Sequence, residues 1–308
     1  MRLLIAISLA VLLAVWPGIG GPLAFAEEVN GGINLALLKQ AQAGDKEAQM
    51  KSGTLYAMGK SVGKDLNKAD VWFRRYAGGD GKLNHNVGKI YSRIVKDSGR
   101  ARIWFERAVK FNYAAAHVGL GKLYLSGDGV EQNFAKANMH LQNALAAGEI
   151  GAHGLIGSMY FNGNGRPRDY AVARKHFLLH VAPYDYAREL AHIYRQGLGT
   201  RRDPVEALKW YRIALINGWN GAMYELGTMY WNGEIAQLDP RIRSLAWFLL
   251  GAGHGGEKSA RMVERLKSEL PRQVAERAVT QAKTLSGKIN WYSELADYLN
   301  EAPAGFQN

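Results

Sequence analysis

Histidine is the residue type in this chain with the widest chemistry, because its 308 residues include eight histidines and no cysteine. A histidine metal site needs several imidazole ligands on one surface. His117 and His153 each lie four residues before a recurring glycine, but the four equivalent positions elsewhere are Gln49, Asn84, Ala187 and Met223. We therefore predict that these two histidines are polar, partly exposed helix positions, and that the chain binds no metal and no other cofactor.

Paired glycines recur at three places that superficially suggest phosphate-binding loops: Gly127 and Gly129, Gly163 and Gly165, and Gly197 and Gly199. A phosphate loop also requires a preceding strand and a following lysine, and these glycines have neither. Glycine adopts the positive φ angles that end helices. Asp203-Pro204, repeated as Asp239-Pro240, is a typical helix start with the aspartate as N-cap. We predict turns between helices here.

Nucleophilic and metal-assisted catalysis have no support in the residue pattern. There is no cysteine nucleophile or thiolate ligand, no paired-histidine zinc helix and no motif that unites an acid, a base and a nucleophile. We predict that the protein is not an enzyme.

Positive charge is the strongest surface feature, with a net charge of +12 that is distributed unevenly. Residues 60–110 contain 13 lysines and arginines and only five acidic residues, and residues 161–212 hold a second excess of positive charge. Such surfaces attract polyanions, although a solvated surface without a partner is the alternative. The candidate contact residues are Arg74, Arg75, Arg100, Arg102, Arg166, Arg168, Arg201 and Arg202.

The elements that position these residues are revealed by an internal repeat. Six times a small residue lies three places before a tyrosine, at intervals of 33 to 36 residues: Gly53 and Tyr56, Gly88 and Tyr91, Gly121 and Tyr124, Gly157 and Tyr160, Ala191 and Tyr194, and Gly227 and Tyr230. A period of this length predicts helix-turn-helix repeats that bury their apolar faces by stacking on one another. The second repeat lacks the glycine-rich loop of the others.

A second series marks the second helix of each repeat. A small residue is followed three places later by a large ring: Ala69 and Trp72, Ala101 and Trp104, Ala137 and His140, Ala173 and His176, Ala207 and Trp210, and Ser244 and Trp247. This spacing places both on one helical face, so we predict that the rings pack in the core. His140 and His176 replace tryptophan and could titrate on acidification. Trp219 and Trp231 fall outside the series and are therefore the better candidates for an exposed contact.

These motifs resemble the Sel1-like repeat (SLR) family, a relative of the tetratricopeptide repeats, over about residues 44–285. The resemblance is most specific in the stretch 190–199, read as LAHIYRQGLG, which precedes Asp203 to Tyr211. It implies an all-α, right-handed α-solenoid of about six helix-turn-helix repeats with a C-terminal capping helical pair that contains Ala275, Ala278 and Ala282.

The expected organisation has five segments. They are a signal peptide at residues 1–26, an N-terminal cap at 27–43, six repeats at 44–256, capping helices at 257–300 and a disordered tail at 301–308. The signal peptide is indicated by Arg2, an apolar run of about 14 residues and the Ala24-Phe25-Ala26 site. That run is shorter than a membrane span of about 20 residues.

Cleavage after Ala26 would export the chain to the periplasm or, as the alternative, out of the cell, peripheral to a membrane at most. Export argues against nucleic acid as a partner. The resemblance implies a scaffold or adaptor for envelope proteins, for example in exopolysaccharide secretion, with an acidic polysaccharide as a further candidate partner. It also leaves open a periplasmic inhibitor of a sensor kinase, a secreted hydrolase and a host-interaction protein.

Overall fold

The computed structural model describes residues 34–180, 182–236 and 238–289, and every regular element in these ranges is helical. The chain divides into two compact units, one through Gly119 and the other from Leu120 onward. The predicted signal peptide, the start of the N-terminal cap, the end of the capping helices and the tail lie outside the described residues. The all-α repeat architecture predicted from the sequence is confirmed.

The N-terminal unit consists of short helices joined by tight turns. They are α1 (Leu35–Gln42), α2 (Lys46–Met58), α3 (Leu66–Ala77), α4 (Gly81–Ile90), a π-helical turn (Tyr91–Val95), α5 (Ser98–Lys110) and the start of α6 (Ala115–Ser126). The second helices of the first two repeats are α3 and α5. Each begins at an aspartate N-cap, Asp65 or Asp97, whose carboxylate accepts a backbone N–H of the first turn.

The C-terminal unit continues the pattern from the rest of α6 to the last described helix. Its helices are α7 (Phe134–Ala146), α8 (Ala152–Asn162), α9 (Tyr170–Leu179), a 3₁₀ turn (Pro183–Tyr186), α10 (Ala187–Gln196), α11 (Pro204–Ile216), α12 (Gly221–Trp231), α13 (Pro240–Gly253), α14 (Glu257–Glu269) and α15 (Arg272–Ile289).

The two predicted Asp-Pro helix starts differ in their capping. Asp203 caps α11 as predicted, and its Oδ1 accepts hydrogen bonds from the N–H groups of Val205 (3.1 Å) and Glu206 (2.9 Å). Helix α13 begins at Pro240 with Asp239 at the N-cap position, as predicted, but the capping hydrogen bond that its side chain was expected to make is absent. Asp239 has a φ of +53° and makes no side-chain cap. Its carboxylate instead accepts a hydrogen bond of 2.5 Å from Arg277 on α15.

The two helices of a repeat pack together at the recurring glycine of the first helix. The residue after the second-series ring packs directly on the repeat glycine, so that a Cβ added to Gly53, Gly88, Gly157 or Gly227 would lie 2.6 to 2.7 Å from the ring of Phe73, Phe105, Phe177 or Phe248 respectively. These approaches explain why the recurring small residue is so often glycine. Close packing of the two helices of a repeat therefore depends on the missing side chain.

One hydrogen bond closes the loop between the helices in five repeats. The N–H of the N-cap residue of the second helix donates to the carbonyl of the repeat tyrosine at 2.8 to 3.0 Å, from Asp65, Asp97, Asn133, Asp169 and Asp203. In the second repeat this N-cap follows its tyrosine by six residues rather than nine. The π-helical turn and Lys96, which has a φ of +61°, complete this shorter loop. The glycine-poor second repeat thus keeps the same closure.

Lys96 occupies a left-handed conformation that the other loops assign to glycine, such as Gly59 and Gly197. We expect Lys96→Val to lower the free energy of unfolding by about 1–2 kcal/mol, because a β-branched side chain fits this conformation poorly. Lys96→Gly should leave it unchanged or raise it slightly, since glycine carries no such strain. Urea unfolding of both variants tests this, and equal effects of valine and glycine would contradict it.

Candidate functional site

The four predicted contact arginines of the N-terminal unit occupy two separate places. Arg74 and Arg75 are exposed in the last turn of α3. Arg100 and Arg102 lie at the opposite end of the neighbouring second helix, near the start of α5. Since α3 and α5 run in the same direction, the structure does not bring all four together.

Arg100 is committed to a structural network. Its guanidinium hydrogen-bonds and pairs with the carboxylate of Asp70, which also accepts hydrogen bonds from the Tyr91 hydroxyl (2.6 Å) and the Trp104 indole N–H (3.3 Å). This network joins the beginning of α3 to that of α5. Burial is the larger of two causes that raise the pKa of Tyr91 well above its ordinary value, and the hydrogen bond and charge of Asp70 are the other. Arg102 pairs with Glu106 at 2.7 Å.

The five acidic residues of segment 60–110 all have local roles. Asp65, Asp80 and Asp97 are N-caps, Asp70 accepts the network just described, and Glu106 pairs with Arg102. Two of the caps also lie near a cation: Oδ2 of Asp65 is 3.7 Å from Nζ of Lys68, and Oδ2 of Asp97 is 3.6 Å from Nε of Arg100. The caps show no further ion pair in the described chain. The exposed cations of this segment are Lys60, Lys64, Lys68, Arg74, Arg75, Lys82, Arg93, Lys96 and Lys110. The local charge imbalance is therefore displayed at the surface.

The predicted basic residues of the C-terminal unit lie in two equivalent loops. Arg166 hydrogen-bonds to Asn138 and its guanidinium carbon is 4.3 Å from the centroid of the Tyr160 ring. Arg168 is exposed and donates to the carbonyl of Asn162 at 3.2 Å. In the next loop Arg201 is exposed, whereas Arg202 donates to Glu234 at 2.8 Å. Three of these four arginines, Arg166, Arg168 and Arg202, thus make hydrogen bonds within the protein.

A buried ion cluster in the C-terminal unit was not predicted from the sequence. The guanidinium of Arg195, only 7% exposed, donates to Glu234 through Nε (3.1 Å) and Nη2 (2.7 Å) and to Glu225 through Nη1 (2.5 Å). Burial acts to lower the pKa of Arg195 and to raise that of Glu234, but their mutual hydrogen bonds and charges outweigh it. The pKa of Arg195 is accordingly raised and that of Glu234 lowered.

Two histidines form a close pair in the same unit. Nδ1 of His153 on α8 lies 2.8 Å from Nδ1 of His176 on α9, and the His176 ring stacks on Tyr160. Burial, followed by the charges of His153, Arg166 and Lys175, lowers the pKa of His176 to about 4. The predicted packing of His140 is also confirmed, since its ring stacks on Tyr124. In the described part of the chain no three histidine or acidic side chains are placed to hold a metal ion.

The histidine pair leads to a pH-dependent prediction. Because the folded-state pKa of His176 lies below its unfolded value of 6.5, its contribution to stability is complete above pH 6.5 and is lost as the pH falls towards 4. Between pH 7 and 5, wild type should lose about 1–2 kcal/mol more unfolding free energy than His176→Phe, after allowance for partial solvent exposure.

Urea unfolding of both proteins at the two pH values tests this prediction. His254→Phe is the control, since His254 is exposed in the turn after α13. Identical pH profiles for wild type and His176→Phe would contradict it.

The tryptophans of the second series pack as predicted. Trp72, Trp104 and Trp247 are buried, and Trp210 packs against the core cluster of the C-terminal unit. Trp219 and Trp231, the two candidates for an exposed contact, are both half-buried. Trp219 is partly buried and stacks on Tyr211, with ring centroids 6.1 Å apart, and Trp231 packs against the core of the last helices. Neither series supplies a free row of aromatic faces for sugar stacking.

Two shallow pockets occur in the C-terminal unit. One of 340 Å³ lies between α13 and α15, and one of 210 Å³ lies beside the 3₁₀ turn, where Tyr184, Arg188 and Trp219 line it. The first pocket is lined by His254, Lys283 and Ser286 together with apolar residues. Within the described residues no helix combines the length and apolar composition that a bilayer crossing needs.

Comparison with known families identifies this architecture. The Sel1 repeat model matches six times, at residues 46–77, 84–110, 114–149, 152–179, 185–218 and 221–255. The chain therefore belongs to the Sel1 repeat family. Repeats of this family generally mediate protein–protein interactions, and the family is typically non-catalytic.

Solved structures provide two informative neighbours. The chain is similar to c5321, a protective antigen of uropathogenic Escherichia coli with an SLR fold, at 26% identity and a TM-score of 0.62 over 88% of this chain. It spans 60% of the length of that antigen. It is also similar to a Sel1 repeat protein of Oxalobacter formigenes, at 27% identity and a TM-score of 0.51 over 69% of this chain and 89% of the other. Comparison with curated proteins gives no match.

Proposed function

We propose that this protein is a non-enzymatic, exported adaptor that uses the basic surface of its N-terminal unit as a charged contact in a protein complex of the cell envelope. The observation that carries this proposal is the commitment of all five acids in segment 60–110 to caps and internal pairs. The exposed cations of this segment outnumber its acids and can therefore pair with an acidic partner. Members of the family generally bind proteins.

The periplasm is the proposed location. Its support is the sequence of the N-terminus, where a single arginine, an apolar run and Ala24-Phe25-Ala26 form the pattern of a cleaved leader. Immunoblots of cytoplasmic, periplasmic, membrane and culture fractions test the location. A chain that stays in the cytoplasm would overturn it.

The proposed complex is an exopolysaccharide secretion machine, in which an acidic polysaccharide is a further candidate for the same charged surface. The similarity to a protective antigen of a pathogenic strain favours a secreted, host-interacting role as the second candidate. Release into the medium together with host-protein binding would move the assignment to that role. Recovery of a sensor kinase would identify the regulatory role instead.

Cross-linking in the cell envelope, followed by affinity capture of the chain, tests the adaptor. The informative variant is Arg74→Glu/Arg75→Glu, since both side chains are exposed and neither carries the Asp70 network. The matched control is Lys258→Glu/Arg261→Glu, which makes the same charge change on the exposed face of α14. We expect the first variant to lose an envelope protein that wild type and the control retain.

Binding through exposed charges should also weaken in high salt, since charges in solution are screened over about 8 Å at physiological ionic strength. Salt-insensitive capture, or equal loss in both variants, would overturn the proposal for this surface. Hydrolase assays on the purified chain test its non-enzymatic character, and turnover above background would overturn that part.

A further inference from the structure

Helices α3 and α5 each expose one branched apolar residue on their outer faces. Val71 on α3 and Ile103 on α5 occupy the same register, each one residue before the repeat tryptophan. They are 50% and 49% exposed. Residues three and four places away lie on the same face of a helix, and on α3 these are Lys68, Arg74 and Arg75. On α5 the residue equivalent to Arg74 is the acidic Glu106, so the exposed apolar residue recurs on both helices but its cationic flank is complete only on α3.

The two helices lie side by side along their length. At their beginnings Asp70 of α3 bonds with Arg100 and Trp104 of α5. At their ends Gly79, just after α3, approaches the Phe111 ring, just after α5. The equivalent residues Val71 and Ile103 therefore belong to one continuous surface.

In the last turn of each of the two helices, an arginine lies over the ring of the repeat tryptophan. The guanidinium carbon of Arg75 lies 5.0 Å from the ring centroid of Trp72, and that of Arg107 lies 5.3 Å from that of Trp104. Cation–π contacts of this kind fix the direction of a long side chain. Arg75 is thereby positioned beside Val71, whereas Nε of Arg107 also donates to Asn84 on α4 at 3.0 Å, so that Arg107 contributes to the packing of α4 and α5.

A purely polyanionic polymer would bind the cations but would make no favourable contact with the exposed valine and isoleucine. Phe111, 43% exposed beside Lys110, extends the apolar part at the end of α5. Basic residues that surround apolar side chains are characteristic of faces that lie on anionic bilayers, where cations meet headgroups and apolar groups enter the acyl boundary. Glu106, the acid on the outer side of α5, is paired with Arg102, and this pairing reduces its repulsion of anionic headgroups.

We propose that this α3–α5 surface, formed by Lys68, Val71, Arg74, Arg75, Ile103 and Lys110, lies on the surface of an anionic phospholipid bilayer. The inference deepens the proposed function, on whose basic contact surface it rests, by naming lipid as the contact of that surface. The protein would then dock peripherally on the membrane through this surface.

Vesicle co-sedimentation of the purified full chain tests the inference. The vesicles contain phosphatidylcholine alone or with about one third phosphatidylglycerol. Each cation near an anionic surface contributes about a fivefold factor in partitioning, so Arg74→Glu/Arg75→Glu should lower binding to anionic vesicles by about 25-fold or more. Val71→Ser/Ile103→Ser should lower it by about tenfold while keeping the same salt dependence.

The matched control is again Lys258→Glu/Arg261→Glu, which should bind within about twofold of wild type. Phosphatidylcholine vesicles measure any adsorption by the apolar N-terminal segment, which all variants share. Circular dichroism of each variant verifies that its helices are intact. Equal losses in both charge-reversal variants would show that binding follows net charge, and would overturn the inference, as would failure of wild type to bind anionic vesicles.

Other outcomes separate lipid from other ligands. If a soluble acidic polysaccharide binds wild type and the Val71→Ser/Ile103→Ser variant equally, while anionic vesicles bind neither, the surface recognises a polymer and the lipid inference falls. If vesicles do not bind but cross-linked capture of an envelope protein is lost in Arg74→Glu/Arg75→Glu, the surface is a protein contact. The proposed function then survives and the lipid inference does not. If vesicles bind the protein but no envelope protein is captured, the lipid inference survives and the proposed role in a protein complex does not.

Discussion

Replacement of Arg195 by methionine is expected to lower the free energy of unfolding by about 3–5 kcal/mol at pH 7, because it leaves a buried carboxylate without its main partner. Glu234 is only 9% exposed at its side chain and receives two hydrogen bonds from Arg195. The substitution leaves it with Arg202 and Asn232, at 2.8 and 3.3 Å. Urea unfolding measures the change, and a loss below about 1 kcal/mol would contradict the role of Arg195.

The matched control for Arg195 is Arg202→Met. Arg202 also pairs with Glu234, but its side chain is 55% exposed. Exposed pairs contribute little, so this variant should lose less than about 1 kcal/mol. A loss as large as that of Arg195→Met would show that exposure does not distinguish the two arginines.

The pH dependence separates charge from packing. The lowered pKa of Glu234 in the folded protein means that its contribution is present above the ordinary glutamate value of 4.5 and is lost as the pH falls through the folded-state value. The difference between wild type and Arg195→Met should therefore shrink below pH 4.5. A second substitution, Glu234→Gln, should recover part of the lost stability at pH 7 by removing the unpaired charge. A pH-independent deficit would assign the loss to packing alone.

The repeat architecture was predictable because it depends on one rule applied many times. A small residue and a tyrosine on the first helix, and a ring on the second, recur at a nearly constant interval, so each repeat supports the interpretation of its neighbours. The structure adds the residue after the ring, such as Phe73 or Phe177, as the side chain that packs on the glycine. This partner was also present in the periodic pattern, directly beside the series that revealed the repeats.

Features that occur only once were not predictable. The turn at Pro183–Tyr186 replaces the glycine turn of other repeat junctions, and Tyr186 fills the space beside Gly154 while stacking on Phe177 at 4.6 Å. Asp239 carries the same Asp-Pro signal as Asp203 but bonds to an arginine 38 residues later. Long-range partners of this kind leave no local signal.

The candidate surface shows the same limit. Charge counting identified the basic segment correctly, but it could not distinguish Arg74, which is exposed, from Arg100, which holds Asp70. That distinction depends on which acid faces each arginine across two helices. Sequence therefore predicts where the excess charge lies along the chain, whereas the structure determines which cations remain for a partner.

Gly227→Val is expected to lower the free energy of unfolding by about 3 kcal/mol, because its Cβ would lie 2.7 Å from the ring of Phe248, a side chain with no exposed surface. The ring cannot move away, since it packs with Leu245 and Leu266 in the core of the last helices. The gain in helix propensity on replacing glycine offsets less than about 1 kcal/mol. Gly253→Val, on the helix that carries Phe248, meets nothing within 4 Å and should change stability by less than about 1 kcal/mol.

A double-mutant cycle with Phe248→Ala gives the sharper test of this packing rule. Removal of the ring alone costs about 3–5 kcal/mol, but it also creates the space that the valine needs. The double variant should therefore be more stable than the sum of the two single losses predicts, by about 1–2 kcal/mol. Additive losses would mean that the close approach of glycine and ring does not govern the packing of the two helices. Because Gly53 and Phe73, Gly88 and Phe105, and Gly157 and Phe177 repeat this geometry, the result for one pair carries to the others.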